Sequence, residues 1–250
     1  MMKLYKKSEL IFSLVWIALY CVALSVADVF SEKIGINSVI SLPVIFVISL
    51  ILTVFIFKNK LNIKYGLCRP KTPSSKMLWY IPLLVLLTAN FWQGATFKYS
   101  FIETVLYIFT MLGVGFFEEI IFRGLLFNAM LKDNRKTAII ISSVTFGLGH
   151  IINLFNGSGM TLIENVLQII SAIAIGFLFV IIYEKSGSII VCIASHGLFN
   201  SASAFSNEAA ITTANRIMSS VLIVILCAVY SLYILNINKN DSKKAEDVNA

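Results

Sequence analysis

Six stretches of this chain are apolar, free of charged side chains and about 18 residues long or longer. A run of that length can cross the roughly 30 Å hydrocarbon core of a bilayer as a helix. They are Leu10–Ala27, Ser38–Phe57, Met77–Gly94, Asn165–Tyr183, Gly187–Phe205 and Ile217–Leu235. Two more qualify if a few polar residues are tolerated. Phe101–Met130 holds Glu103, Glu118, Glu119 and Arg123, and Thr137–Phe155 holds His150. The reading is an all-α, polytopic transmembrane bundle of about eight spans. It is one integral membrane domain over 1–250, with a motif-bearing core over 113–200 and a polar cytoplasmic tail over 238–250 that is expected to fray.

Composition agrees. Of 250 residues, 58% are hydrophobic and 13% charged, whereas a soluble domain has about half and a quarter. Lys3, Lys6 and Lys7 before the first run resemble the start of a signal peptide, with Ser25-Val26-Ala27 as a cleavage-like site. The run is longer than a usual signal core, so a retained first helix is expected. Cys21, Cys68, Cys192 and Cys227 follow no metal or disulfide spacing and are expected to be packing residues.

Basic residues alternate between loops. Lys3, Lys6 and Lys7 precede the first span. Lys58, Lys60, Lys64, Arg69, Lys71 and Lys76 join the second to the third. Lys132, Arg135 and Lys136 join the fourth to the fifth, and Lys185 follows the sixth. The intervening loops hold Lys33, Lys98 and Arg216. Cytoplasmic loops carry the excess of Lys and Arg, so both termini are expected inside. The net charge of +7 is then explained by topology and anionic lipid, and no nucleic-acid partner is implied.

Charged groups inside a span are costly and mark function. Glu119 and Arg123 stand at i, i+4 and are expected to pair. Glu118 points elsewhere on the helix and lacks a local counter-ion, which suits a general base. The only two histidines, His150 and His196, also lie in apolar spans, and Asn200 shares a helix face with His196. Counted from the basic ends of their helices, Glu118 and His150 lie roughly 20 Å deep, and His196 and Asn200 roughly 13 and 20 Å. Three helices thus deliver polar groups to one layer. Gly113, Gly115, Gly124, Gly147, Gly149 and Gly197 allow close helix approach there.

Two chemistries fit. Glu118, Glu119, His150 and His196 could bind a zinc ion that activates water. Alternatively, Glu118 deprotonates water with help from His150 while His196 and Asn200 hold the oxyanion. With no H-E-x-x-H helix and an asparagine in the set, the metal-free version is favoured. No G-x-S-x-G is present for a serine route.

Glu118-Glu119-x-x-x-Arg123, Phe146-x-x-x-His150 and His196-x-x-x-Asn200 resemble, in order and spacing, the three motifs of the CAAX-protease and bacteriocin-processing (Abi) family of intramembrane endopeptidases. The resemblance covers about Gly113 to Asn200. It implies that Glu118 activates water, Glu119 and Arg123 support it, His150 assists, and His196 with Asn200 holds the oxyanion. The family is often labelled metalloprotease, so zinc dependence stays open. The implied substrates are membrane-associated peptides or proteins, such as bacteriocin precursors, pheromones or propeptides, or a role in self-immunity. The implied place is a bacterial plasma membrane. Two rival classes are a non-catalytic immunity or regulatory partner that keeps the fold, and a proton-coupled transporter, which calls for inverted repeats that the sequence lacks.

Overall fold

The computed structural model describes residues 1–155 and 159–248, with backbone alone over 238–248. Among them it forms a bundle of helices with no β-strand. A short amphipathic turn, α1 (Met2–Lys7), leads into α2 (Glu9–Ile34), capped by the Ser8 side chain and stopped at Gly35, whose φ of 77° suits a residue without Cβ. Then come α3 (Ser41–Lys58) and α4 (Ile81–Leu87). Next is a long helix built of α5 (Phe101–Glu118), a π-helical stretch (Glu119–Phe127) and α6 (Asn128–Leu131). It is followed by α7 (Arg135–Leu148), α8 (Leu162–Ser186), α9 (Ile190–Ala202) and α10 (Thr213–Val248). Capping boxes Ser100/Glu103 and Thr161/Glu164 start α5 and α8 by satisfying the first free backbone N–H groups.

Six helices among the described residues are long and apolar enough to cross a membrane: Glu9–Ile34, Ser41–Lys58, Phe101–Leu131, Arg135–Leu154, Leu162–Ser186 and Thr213–Ile237. The other two expected spans take a different form. Over Met77–Gly94 the chain breaks, because Leu78, Trp79 and Tyr80 adopt left-handed φ of 50°, 52° and 58° ahead of the short α4. Gly187–Phe205 contains a 16-residue helix that starts only at Ile190. The first three of its expected residues form the turn after α8 instead, with Ser188 donating to the Cys68 carbonyl at 2.6 Å. In the tail, helical backbone continues to Val248 where fraying is expected from 238, and residues 249–250 lie outside the described residues.

Helix α8 packs against α7 and α10, α5 against α9 and α3, and the π-helical stretch against α2 and α7. One apolar cluster joins Phe12, Trp16, Leu52, Phe117, Ile121 and Phe146, and a second joins Met77, Leu83, Phe179, Cys192 and Tyr230. The outer faces are equally apolar: Leu14, Val22, Phe46, Leu50, Val54, Val221, Ile225 and Val229 are exposed. Apolar surface on this scale is expected of a protein solvated by lipid. The chain is a multi-pass helical membrane protein.

Candidate active site

The sequence reading expects an unbroken α-helix through the acidic motif. The structure instead widens the helix one residue after Glu118 into the π-helical stretch. Such stretches are rare and concentrate at functional sites. Their cost is a looser backbone ladder, which in an apolar surrounding needs other donors. Neighbouring side chains supply them. The Ser142 hydroxyl donates to the Phe122 carbonyl at 2.8 Å. The Asn128 amide donates to the carbonyls of Arg123 and Gly124 at 3.2 and 2.7 Å.

Glu119 and Arg123 are fully buried and paired, Arg123 Nη1 to Glu119 Oε1 at 3.1 Å. The guanidinium has no hydrogen-bond partner in good geometry among the described residues. It lies over the Phe146 ring at 4.2 Å and near the Phe179 ring at 5.6 Å. Its charge is thus offset by one carboxylate and two aromatic faces. The first residue of the second motif, Phe146, is therefore a platform for the arginine of the first.

His196 stands between the two glutamates. Its Nδ1 is 2.8 Å from Glu119 Oε1 and its Nε2 is 3.4 Å from Glu118 Oε2. The ring also meets Phe146 edge-on, with centroids 5.4 Å apart. Beside the expectation that His196 and Asn200 hold an oxyanion, the structure shows a ring engaged at Nδ1 by Glu119 and, at Nε2, within ion-pair distance of Glu118. The close seating has a backbone cause. Helices α5 and α9 touch at Gly115 and Gly197, where a Cβ on Gly115 would come within 2.4 Å of the Gly197 nitrogen. Only glycine lets the imidazole reach the acidic pair.

Glu118 is more than nine-tenths buried, yet it is not alone as the sequence suggests. The Tyr20 hydroxyl donates to its Oε1 at 2.7 Å. Sequence reasoning passed over Tyr20 because α2 reads as a generic span. The available signal was the single tyrosine of that apolar run.

Glu118, His150, Asn200 and Tyr20 line one cavity of about 840 Å³. The His150 ring packs edge-on to Phe146 at 5.6 Å, and its backbone carbonyl accepts from the Asn165 amide at 2.7 Å. His150, His196 and Asn200 also border a smaller adjoining cavity of about 160 Å³. The six residues singled out in the sequence thus fall into two groups. Glu118, Glu119, Arg123 and His196 lie in one run of contacts, a His196–Glu119 hydrogen bond flanked by ion-pair contacts to Glu118 and Arg123, while His150 and Asn200 line Glu118's cavity.

As a zinc site the set fits poorly. His196 Nδ1 is hydrogen-bonded to Glu119, and Glu119 is also paired with Arg123. No group of three or more His, Cys, Asp or Glu among the described residues is arranged to hold a metal ion. A water in the cavity would instead meet Glu118 as an oriented acceptor.

Residues 100–202 match the family described as type II CAAX prenyl endopeptidase Rce1-like, a family of proteases. The matched stretch contains all six residues, and the resemblance carried by the three motifs is thereby shown for this part of the chain. No curated protein and no solved structure matches the chain.

Proposed function

From the similarity of residues 100–202 to that protease family, we propose that the protein is an intramembrane endopeptidase that hydrolyses a peptide bond with a water activated by Glu118. The observation that carries this reading is the sharing of one 840 Å³ cavity by Glu118, His150 and Asn200. Such a volume takes a short peptide segment.

In the reading, the Glu118 carboxylate accepts a proton from water as the water oxygen attacks the peptide carbonyl carbon. The carbonyl electron pair moves onto oxygen, and the His150 ring and the Asn200 amide donate hydrogen bonds to that oxyanion. Glu118 then returns the proton to the leaving nitrogen as the C–N bond breaks. The Tyr20 hydroxyl fixes one Glu118 oxygen, and His196, held by Glu119, orients the other. Arg123 neutralises Glu119 so that two adjacent carboxylates can coexist away from water. Membrane-associated peptides or proteins are the substrate class, including the bacteriocin, pheromone or propeptide precursors that the resemblance implies. The place is the plasma membrane of a bacterium, with both termini cytoplasmic.

The test is cleavage of a peptide library by purified protein, read by mass spectrometry, for wild type and for Glu118→Gln, His150→Ala and Asn200→Ala. Loss of a general base or oxyanion donor lowers the rate by about 10²–10⁴-fold. Undiminished cleavage by Glu118→Gln would overturn the reading.

A further inference from the structure

The cavity has a pronounced charge. Among the described residues that line it are four carboxylates, Asp28, Glu32, Glu103 and Glu118, and no lysine or arginine. The basic residues of the loops at that end, Lys33, Lys98 and Arg216, each have a partner outside the lining, although Lys98 also donates to the carbonyl of the lining residue Ser203 at 3.2 Å. Lys98 pairs with Glu208 at 2.6 Å, Arg216 with Glu164 at 3.0 Å, and Lys33 lies over the Phe30 ring at 5.5 Å. No described ion pair involves Asp28, Glu32 or Glu103.

The carboxylates are staggered along the cavity. Glu118 lies at the floor beside Tyr20 of α2. Asp28 is two turns farther along α2, about 12 Å up, and Glu32 about 18 Å. Glu103, on α5, is about 22 Å from Glu118. Asp28 is half-buried and accepts from the Ser41 hydroxyl. Glu103 is held by Ser100 and by the Asn37 backbone N–H at 3.1 Å. Glu32 is exposed. The lining extends, at Glu32, Asn37, Glu103 and Asn153, to the ends of α2, α5 and α7 that lie away from the basic loops at 58–76 and 132–136.

A walled, partly desolvated cleft of one sign concentrates ligands of the opposite sign. We infer that the cavity selects a substrate segment carrying Lys or Arg, which enters from the face opposite the basic loops. An extended chain advances about 3.3 Å per residue. Asp28 then meets a cation three to four residues from the scissile bond, and Glu32 and Glu103 meet cations five to seven residues away. This rests on the proteolytic reading for the position of the scissile bond, but the charge preference is measurable without cleavage.

The experiment uses three fluorescent peptides of one neutral sequence, with Lys-Lys, Gln-Gln or Glu-Glu placed four and five residues from the centre. Binding to the full-length Glu118→Gln protein in detergent is read by anisotropy, and cleavage by wild type is read in parallel. The Lys-Lys peptide is expected to bind on the order of tenfold tighter than Gln-Gln, and the advantage is expected to shrink as salt rises. It is also expected to fall in Asp28→Asn and in Glu32→Gln, the latter at an exposed position where folding is not at stake. Equal binding of the three peptides, or an advantage unchanged in both variants, would overturn the inference. A Lys-Lys preference without any cleavage by wild type overturns proteolysis and leaves the charge selection standing. Cleavage of all three at equal rate, with equal binding, overturns the selection alone.

Discussion

The Tyr20 hydroxyl donates to Glu118 Oε1 at 2.7 Å across 98 positions of chain. That bond ties the first long helix, which carries no motif, to the carboxylate on which the proposed chemistry depends. A carboxylate that must take a proton from water at one geometry gains from a fixed partner on its other oxygen. Tyr20→Phe removes one oxygen and keeps the ring that packs on Phe117 at 5.3 Å. The expected outcome is a rate lowered by about tenfold, the scale of one hydrogen bond to a charged group, with the melting temperature in detergent little changed. An unchanged rate would show that the phenol is only packing.

Gly115→Ala tests the seating of His196. The added methyl meets the α9 backbone at 2.4 Å, so α5 and α9 must separate. Overpacking of this kind costs about 1–3 kcal/mol, and any separation lengthens the His196–Glu119 contact. A lower melting temperature together with a lower cleavage rate is expected. Leu14→Ala, on an exposed apolar face, serves as the control with neither effect.

Arg123→Met leaves Glu119 as a buried charge without its ion-pair partner. Breaking such a pair costs about 3–5 kcal/mol, so a marked fall in thermal stability is expected. Adding Glu119→Gln removes the stranded charge and is expected to restore much of that stability but not cleavage. If the single variant is as stable as wild type, the pair does not hold these helices together.

Because the donor set does not converge on a metal, cleavage is expected to survive a strong chelator, and elemental analysis of purified protein is expected to find no stoichiometric zinc. Loss of activity on chelation, restored by zinc, would show that the glutamates and His196 rearrange to bind a metal.

Much of this was legible in the sequence, for physical reasons. Apolar run length placed four of the six long helices outright, and the other two, Phe101–Leu131 and Arg135–Leu154, once their polar residues were tolerated, because lipid imposes both length and composition. Helix pitch set Glu118 and His150 about equally far from the ends of their helices, and both line one cavity. The i, i+4 spacing of Glu119 and Arg123 gave their pairing. What escaped was set by tertiary contacts. The π-helical stretch has no period of its own and depends on Asn128 and Ser142, which satisfy carbonyls in a widened turn. Tyr20 needed the packing of α2 on that stretch to show its partner. The break at Leu78–Tyr80 lies in a run whose apolar composition is that of a full span. His196 looked free from sequence because its two carboxylates belong to another helix.

The central claim is that Glu118 activates the water that cleaves a peptide bond. It is tested most directly by incubating the full-length protein with a membrane-associated peptide library in ¹⁸O-labelled water and weighing the products. The expected result is one ¹⁸O atom in the new C-terminal carboxylate with wild type, and product formed about 10²–10⁴-fold more slowly by Glu118→Gln at matched folding. Labelled products from Glu118→Gln at the wild-type rate, or no cleavage by wild type of any library member, would contradict it.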